Sequence, residues 1–194
     1  MLNNSIEKLI LGKDLSIEES KISMDFIMDG QASSAQIAAF LVSLRIKGET
    51  VEEITGMATS MRNNSLTVPN SSYLVDTCGT GGDGFGTINA STISAIIAAS
   101  GEVKVAKHGN RAASSKSGSA DVLEGLGVVI DLSPDLVARS IEKTNFGFMF
   151  AQTFHPAMRH VGPTRRELGI RTVFNFLGPL TNPAKANAQV LGVS

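Results

Sequence analysis

The chain has 194 residues, a net charge of −1 and 42% hydrophobic residues. That length suits one large domain, or one domain with a smaller one, and the composition suits a globular fold with a core. The near-neutral charge gives no general reason to expect nucleic acid as a partner, and no apolar run approaches a membrane span. With a single cysteine and no signal-peptide pattern, we expect a cytoplasmic protein without disulfides.

The first sixty-odd residues carry only helical patterns. Apolar residues recur at spacings of three and four, and three Ser/Thr-x-x-Glu/Gln pairs precede such runs, which indicates reciprocally capped helix starts. The pairs are Ser16 with Glu19, Ser33 with Gln36, and Thr50 with Glu53. We therefore predict a small helical bundle domain over residues 1–66.

From residue 72 the pattern changes to strands that alternate with helices, which is typical of an α/β domain with a mostly parallel sheet. We predict strands at 73–77, 103–106, 128–130, 146–150 and from 188 onward. Helices are predicted at 91–100, 119–127, 134–144 and 163–178, and Ser133 is expected to cap the third of these. Because no helix follows the last strand, we expect the α/β domain, 72–194, to be incomplete, with 163–180 packing on the helical domain.

A glycine-rich segment, DTCGTGGDGFGTINAST, covers residues 76–92. Its residues 79–84 satisfy G-x-G-x-x-G, but a dinucleotide fold needs a helix at the last glycine and an acidic residue after the second strand. Here the helix begins several residues later, and the second strand ends in Lys107 and His108. A dinucleotide is therefore disfavoured, although this basic strand end leaves NADP open. We favour a loop whose backbone N–H groups bind a phosphate or diphosphate.

Polar residues at the start of the following helix support an anion site. The side chains of Asn89, Ser91 and Thr92 can cap that helix or hold an anion. A second polar segment, KHGNRAASSKSGSAD (107–121), follows the next strand, so parallel pairing would bring both segments to one sheet edge. Two such segments predict a ligand with two phosphate groups.

Other candidate residues have weaker patterns. Cys78 fits a small buried residue better than a nucleophile. His108 could act as a general base or pack against an aromatic ligand. One arginine of the 165–166 pair could bind a substrate carboxylate, or the pair could lie on a solvated helix face. We expect both His155 and His160 to be structural or to support other residues.

Five ordered motifs resemble the anthranilate phosphoribosyltransferase family. They are DTCGTGGDGFGTINAST, AKHGNRAASSKSGSADVLEGLG, FAQTFHPAMRHV, LGIRT and FNFLGPLTNPA. The chain is similar to the N-terminal part of that family's chain. The resemblance implies transfer of the phosphoribosyl group of 5-phosphoribosyl 1-diphosphate (PRPP) to the amine of anthranilate, with Mg²⁺, in tryptophan biosynthesis.

The family's functional residues carry over by motif. The resemblance implies catalytic roles for Lys107, Asn110 and Arg165, and a magnesium ligand at Ser91. It implies anthranilate contacts at Gly79, His108, Asn110, Arg165 and Gly178. It implies PRPP contacts at Gly79, Gly82, Asp83, Thr87, Asn89, Ala90, Ser91, Thr92, Lys107, His108, Gly109, Asn110, Arg111, Ala112, Ala113, Ser114, Ser115 and Ser119.

The resemblance has one departure and two alternatives. The family also uses an adjacent Asp-Glu pair as magnesium ligands, and this sequence contains no Asp-Glu dipeptide. The alternatives are an enzyme similar to pyrimidine nucleoside phosphorylase, and a non-catalytic relative that binds a partner. The family forms homodimers through its helical domain, so the resemblance implies the same for residues 1–60, with no nucleic acid or membrane as a partner.

Overall fold

The computed structural model describes residues 2–81, 88–112 and 117–193. Within them, the helices are α1 (Leu2–Ile10), α2 (Ile17–Met28), α3 (Ser34–Lys47), α4 (Val51–Asn63), α5 (Ala90–Ser100), α6 (Ser119–Gly125), α7 (Pro134–Thr144), α8 (Ala151–Phe154), α9 (Gly162–Leu168) and α10 (Phe174–Leu177). The strands are β1 (Val75–Gly79), β2 (Val105–Gly109), β3 (Phe146–Phe150) and β4 (Ala188–Gly192). The chain divides into two compact units, the first formed by Met1–Ser65 and His155–Thr181, and the second by Leu66–Phe154 and Asn182–Ser194.

The first unit is a helical bundle around one apolar core. In this core Phe40, Leu41 and Leu44 of α3 are fully buried, together with Met57 of α4. Residues of the later segment complete the same core: Val161, Val173, Phe174 and Leu177. All three predicted capping boxes are made, with both reciprocal hydrogen bonds present at the starts of α2, α3 and α4. The predicted helical character of the first sixty-odd residues is confirmed.

A buried carboxylate joins three parts of the bundle. Glu53 has no exposed surface, and its oxygens accept hydrogen bonds from the backbone N–H groups of Leu15 and Thr50, both at 2.9 Å. The ammonium group of Lys47 lies 3.0 Å from the same carboxylate. A buried charge is tolerated where it is paired and hydrogen-bonded, so Glu53 both caps α4 and holds the turn before α2.

The second half of the first unit differs from the sequence expectation. A helical run was predicted over 163–178, but α9 ends at Leu168 and α10 begins only at Phe174. Gly169 adopts φ +61° in the left-handed region and ends α9 as a C-cap. Glycine favours this termination because it has no Cβ to clash, so the prediction of one continuous helix is wrong.

The second unit contains a four-stranded sheet in the order β3-β2-β1-β4, and every described pair is parallel. The predicted parallel α/β fold is confirmed. The first two strands, however, lie about two residues later than predicted. Val75–Gly79 pairs with β4, and Val105–Gly109 pairs with β3. Because this pairing sets where the strands begin and end, both strands extend to later residues than their apolar runs indicated. As a result, Lys107, His108 and Gly109 belong to strand β2 and not to the polar segment that was expected to follow the strand.

The predicted strand at 128–130 is wrong. These residues form no strand, and the N–H of Val128 turns back to the carbonyl of Leu123 at 2.9 Å. Val129 is largely exposed, whereas Ile130 is buried in a cluster with Leu123, Phe148 and Phe150. A single buried isoleucine accounts for the apolar pattern, so the run did not require a place in the sheet.

Candidate active site

Three chain segments converge beyond the carboxyl ends of β1 and β2. The start of α5 approaches the second polar segment through Asn89, whose Nδ2 donates to the carbonyl of Ser117 at 3.1 Å. Within that segment, the start of α6 lies against Asn110, because Ser119 Oγ donates to the carbonyl of Asn110 at 3.3 Å. The N–H of Ala120 also donates to that carbonyl, at 3.2 Å. The structure thus brings together many of the residues that the sequence analysis assigned to PRPP.

Some of the assigned residues lie outside the described part of the chain. These are Gly82, Asp83, Thr87, Ala113, Ser114 and Ser115. Within the described part, Gly79 ends β1, Asn89, Ala90, Ser91 and Thr92 begin α5, and Asn110, Arg111 and Ala112 follow β2. The described residues therefore give one continuous edge of the site, formed by strand ends and helix starts.

Lys107 is a buried cation at this edge. Its side chain is only 1% exposed, and Nζ donates to the carbonyl of Thr77 at 2.6 Å and approaches Ser91 Oγ at 3.4 Å. Burial lowers the pKa of Lys107, while the charge of Asp76 opposes that change. An ammonium group that is desolvated in this way is stabilised by an incoming anion, and the hydroxyl of Ser91 lies beside it.

Asp76 supports the ends of both central strands. It is fully buried, and its Oδ1 accepts the backbone N–H of His108 at 3.3 Å. Its Oδ2 accepts from Nε2 of Gln189 on β4 at 3.1 Å. Asp76 was not among the residues predicted for the site, although an acidic residue inside an apolar strand pattern is a signal that identifies such a position. Asp76 places a negative charge under the site and ties β2 and β4 to β1.

His108 and Gly109 complete the end of β2. The imidazole of His108 is 8% exposed, so it is well shielded from solvent. Gly109 leaves space that other groups occupy, because a Cβ there would lie 2.1 Å from Ser119 Oγ and 2.8 Å from the Phe148 ring. Any larger residue at this position would require the Ser119 side chain and the Phe148 ring to shift.

Arg111 makes contacts that the sequence did not reveal. Its guanidinium donates to both carboxylate oxygens of Glu124, at 2.7 and 3.1 Å, and to Asp121 at 3.2 Å. It also lies over the Phe150 ring, 5.6 Å from the centroid. These carboxylates raise the pKa of Arg111, with Glu124 contributing most. In this structure, the Arg111 charge is directed to helix α6.

Cys78 has the properties of a structural residue. It is partly buried in β1, and burial raises its thiol pKa to about 12. The nearby charge of Asp76 acts in the same direction. A nucleophilic cysteine needs a thiolate near neutral pH, so the preference for a small packed residue over a nucleophile agrees with the structure.

The assigned anthranilate residues Arg165 and Gly178 belong to the first unit. Arg165 lies in α9 with its guanidinium 5.2 Å from the Phe174 ring centroid, and burial lowers its pKa. No carboxylate forms an ion pair with it in residues 2–81, 88–112 or 117–193. A partly buried arginine stacked on an aromatic ring suits recognition of a carboxylate on an aromatic molecule.

The two remaining histidines have the supporting positions expected of them. His155 is buried, and His160 Nε2 accepts from Nε of Arg159 at 3.2 Å. Gly30, at φ +72°, packs directly on the His160 ring, where a Cβ would lie 2.7 Å from Cε1. Both histidines therefore contribute to packing within the bundle.

The described side chains at this edge of the sheet offer few ligands for a magnesium ion. No cluster of three or more His, Cys, Asp or Glu side chains suited to a metal occurs in the described residues. Ser91 offers a hydroxyl at the correct edge of the sheet, but the ammonium of Lys107 lies beside it. This set fits a Mg²⁺ that arrives with phosphate oxygens and retains water ligands, as Mg²⁺ commonly does, rather than one held by protein alone.

Comparisons with known proteins agree with this architecture. Residues 71–194 match the family described as "Glycosyl transferase family, a/b domain", and residues 3–65 match its helical bundle domain. The chain belongs to this glycosyl transferase family. In the part of the chain that the structure describes, no helix is both long and apolar enough to cross a membrane.

The chain is similar along its length to proteins named anthranilate phosphoribosyltransferase. The chain is 58% identical to anthranilate phosphoribosyltransferase of Acetivibrio thermocellus over 194 residues, which is all of this chain and 56% of that protein. The crystal structure from Thermus thermophilus shares 53% identity and a TM-score of 0.91, over 97% of this chain and 58% of that one. The Saccharomyces cerevisiae structure with PRPP and Mg shares 32% identity and a TM-score of 0.91, over 99% and 58%. The predicted resemblance is confirmed, and the chain spans little more than half the length of these relatives.

Proposed function

We propose that the protein transfers the 5-phosphoribosyl group of PRPP to the amine of anthranilate, releasing diphosphate, in tryptophan biosynthesis. The observation that carries this proposal is the buried ammonium of Lys107 beside Ser91, at the sheet edge where α5 begins. A desolvated cation with helix-start donors around it suits a phosphorylated substrate. The similarity to named anthranilate phosphoribosyltransferases supports the choice of substrates.

In the proposed reaction the anthranilate nitrogen forms a bond to ribose C1. The bond from C1 to the diphosphate oxygen breaks, its electron pair leaves on diphosphate, and the nitrogen then loses one proton. The barrier falls if the leaving diphosphate is stabilised and the amine is held on the opposite face. Lys107 and the backbone around Gly79 serve the first task. Asn110 and Arg165 serve the second, with Arg165 on the anthranilate carboxylate.

A magnesium ion is part of the proposal, with Ser91 as its contact on this chain. Mg²⁺ would neutralise charge on the diphosphate as it leaves. We also propose a cytoplasmic location, and a homodimer through residues 1–60, as the resemblance implies.

The first experiment mixes the chain with PRPP, Mg²⁺ and anthranilate, and follows anthranilate fluorescence alongside calorimetric titration with PRPP. Fluorescence loss that requires PRPP would establish the reaction. Binding of PRPP without fluorescence loss would restrict this chain to substrate binding. Absence of both, in a chain shown to be folded by circular dichroism, would contradict the proposal.

Arg165 provides a substrate-specific test. We expect Arg165→Ala to weaken anthranilate binding by about tenfold or more, the size of a lost charge-assisted pair, and to leave PRPP binding nearly unchanged. Arg166→Ala is the matched control, since Arg166 is the exposed neighbour on the same helix. Equal losses of affinity for the two substrates would refute the role of Arg165.

A further inference from the structure

Asp121 joins two parts of the chain that lie apart in sequence. Its Oδ2 accepts the backbone N–H of Ala112 at 2.9 Å and that of Gly118 at 2.7 Å. Its Oδ1 accepts from Arg111 Nη1 at 3.2 Å. Ala112 precedes residues 113–116 in the sequence, and Gly118 follows them after Ser117. One carboxylate oxygen of Asp121 therefore holds the backbone N–H groups of Ala112 and Gly118 close together.

The two ends are also in direct contact. A Cβ at Gly118 would lie 2.4 Å from the nitrogen of Ala112 and 2.7 Å from the carbonyl oxygen of Asn110. Backbone thus packs on backbone, and no larger residue fits between. Because Asn110 is an assigned contact of both substrates, the position of this backbone matters to the site.

We propose that Asp121 is a positioning residue, which holds Asn110–Ala112 against the start of α6 so that this stretch is preorganised for PRPP. The proposal rests on the proposed function and deepens it, since Asp121 itself touches no substrate in this scheme. The resemblance assigned contacts around it, from Lys107 to Ser115 and at Ser119, but no role to Asp121.

We call the two hydrogen bonds that Asp121 accepts from the N–H groups of Ala112 and Gly118 the clasp, and the charge of Asp121 strengthens it. The N–H groups of Ala112 and Gly118 lower the pKa of Asp121, and Arg111 contributes further. The carboxylate of Asp121 is therefore ionised near neutral pH. Hydrogen bonds to an ionised acceptor are stronger than those between neutral groups. Preorganised donors add affinity because the ligand need not order them on binding.

Glu124 offers a matched control on the same helix. It makes two hydrogen bonds to Arg111 and, among the contacts described, none to the backbone of residues 110–118. Removing the charge of Glu124 loosens Arg111 alone, whereas truncating Asp121 also releases the two backbone N–H groups. A difference between these variants isolates the clasp from general loss of an acidic residue.

The test compares Asp121→Ala, Asp121→Asn and Glu124→Gln in the 194-residue chain. Amide hydrogen exchange by NMR reports on Ala112 and Gly118, and calorimetry reports on PRPP affinity with Mg²⁺. For Asp121→Ala we expect exchange at both amides to quicken by at least about tenfold and PRPP affinity to fall by about tenfold to a hundredfold, the size of one or two lost charge-assisted bonds. Asp121→Asn should show smaller changes in the same direction, and Glu124→Gln should stay within about threefold of the wild type.

The outcomes separate the two proposals. Faster exchange at both amides with unchanged PRPP affinity would overturn the positioning role. Equal loss of affinity in Glu124→Gln and Asp121→Ala would also overturn it, because the clasp would then add nothing specific. Failure of the wild type to bind PRPP, with both amides protected, would refute the proposed function and with it the assignment to PRPP. If the Asp121→Ala variant does not fold, Asp121→Asn provides the same test of the positioning role, because the asparagine side chain is nearly the same size as that of aspartate.

Discussion

In the first unit, the side chains of Ser16, Ser33 and Thr50 each accept a hydrogen bond from the third residue of their own helix. In the second unit, the N-cap side chain of Asn89 makes no such bond to α5 and donates instead to the carbonyl of Ser117. The bundle therefore uses its polar helix starts for its own stability. At the start of α5, the sheet unit instead uses the polar side chain to connect a neighbouring loop at the candidate site.

Buried charges differ between the units in the same way. Glu53 in the bundle is saturated by partners of the bundle itself, including an ion pair with Lys47. Lys107 in the sheet unit contacts neutral oxygen atoms of Thr77 and Ser91, and no carboxylate of residues 2–81, 88–112 or 117–193 forms an ion pair with it. Polar groups that are satisfied internally stabilise a fold, whereas a buried cation that has Asp76 nearby but outside ion-pair distance is suited to an anionic ligand.

The largest expected effect is on the bundle. Glu53→Gln should lower the free energy of unfolding by about 3–5 kcal/mol, because the buried Lys47 ammonium loses its buried charge partner and keeps only the largely exposed Asp14. Urea unfolding followed by circular dichroism measures this. Glu52→Gln, at the exposed neighbouring position, is the control and should change stability by less than about 0.5 kcal/mol. Equal stability of the Glu53→Gln and Glu52→Gln variants would show that the buried charge of Glu53 does not stabilise the bundle, and the proposed difference between the two units would then fail.

The next effect concerns the cation in the sheet unit. Lys107→Met should reduce PRPP affinity by about a hundredfold, the size of lost charge-assisted contacts, when measured by calorimetry. Its stability should change much less than that of Glu53→Gln, because relief of desolvation offsets the lost hydrogen bonds. A strongly destabilised variant with normal PRPP affinity would assign Lys107 to the fold and not to the site.

The pH dependence of stability gives a second test of Lys107. Burial lowers its pKa below the ordinary value of 10.5, so between the folded pKa and 10.5 the unfolded chain binds more protons. Stability contributed by this group therefore rises as pH increases through that window. Urea midpoints of the wild type minus those of Lys107→Met should increase on approach to pH 10.5, and a flat difference would count against the burial of the ammonium.

A smaller effect is expected at Gly118. Gly118→Ala should destabilise the chain by about 1–3 kcal/mol, as overpacking does, because a Cβ there meets the backbone of Arg111 and Ala112. Gly125→Ala, at the end of the same helix with open space around it, should be neutral or stabilising by up to about 1 kcal/mol. Thermal unfolding compares the two, and tolerance of alanine at both positions would show that the backbone contact is not restrictive.

The smallest expected effect is on Cys78. Its pKa of about 12 keeps the native thiol protonated, whereas an unfolded thiol ionises near 9.0. Iodoacetamide at pH 9 should modify the native protein at least about tenfold more slowly than the urea-unfolded chain, because the thiolate is the nucleophile. Equal rates in the two states would contradict the raised pKa and reopen the possibility of a reactive cysteine.

Local patterns predicted the bundle well, because a capping box needs only residues three apart and an amphipathic helix reveals its buried face by spacing. The strand at 146–150 was predicted with its observed bounds for a similar reason, since its whole run is apolar. The predicted bounds of β1 and β2 were wrong because pairing with β4 and β3 sets the register, and those partners are distant in sequence.

By itself, the sequence determined the two-part composition of this chain, the helix starts of the bundle and the set of residues that resemble a known phosphoribosyl site. Tertiary structure alone decided that Lys107 is buried beside Ser91, that Asp76 ties three strands together, and that Asp121 accepts the backbone N–H groups of both Ala112 and Gly118. The physical reason is range. Capping and periodicity act within one turn of helix, whereas burial and the hydrogen bonds of buried groups depend on segments that meet only when the chain is folded.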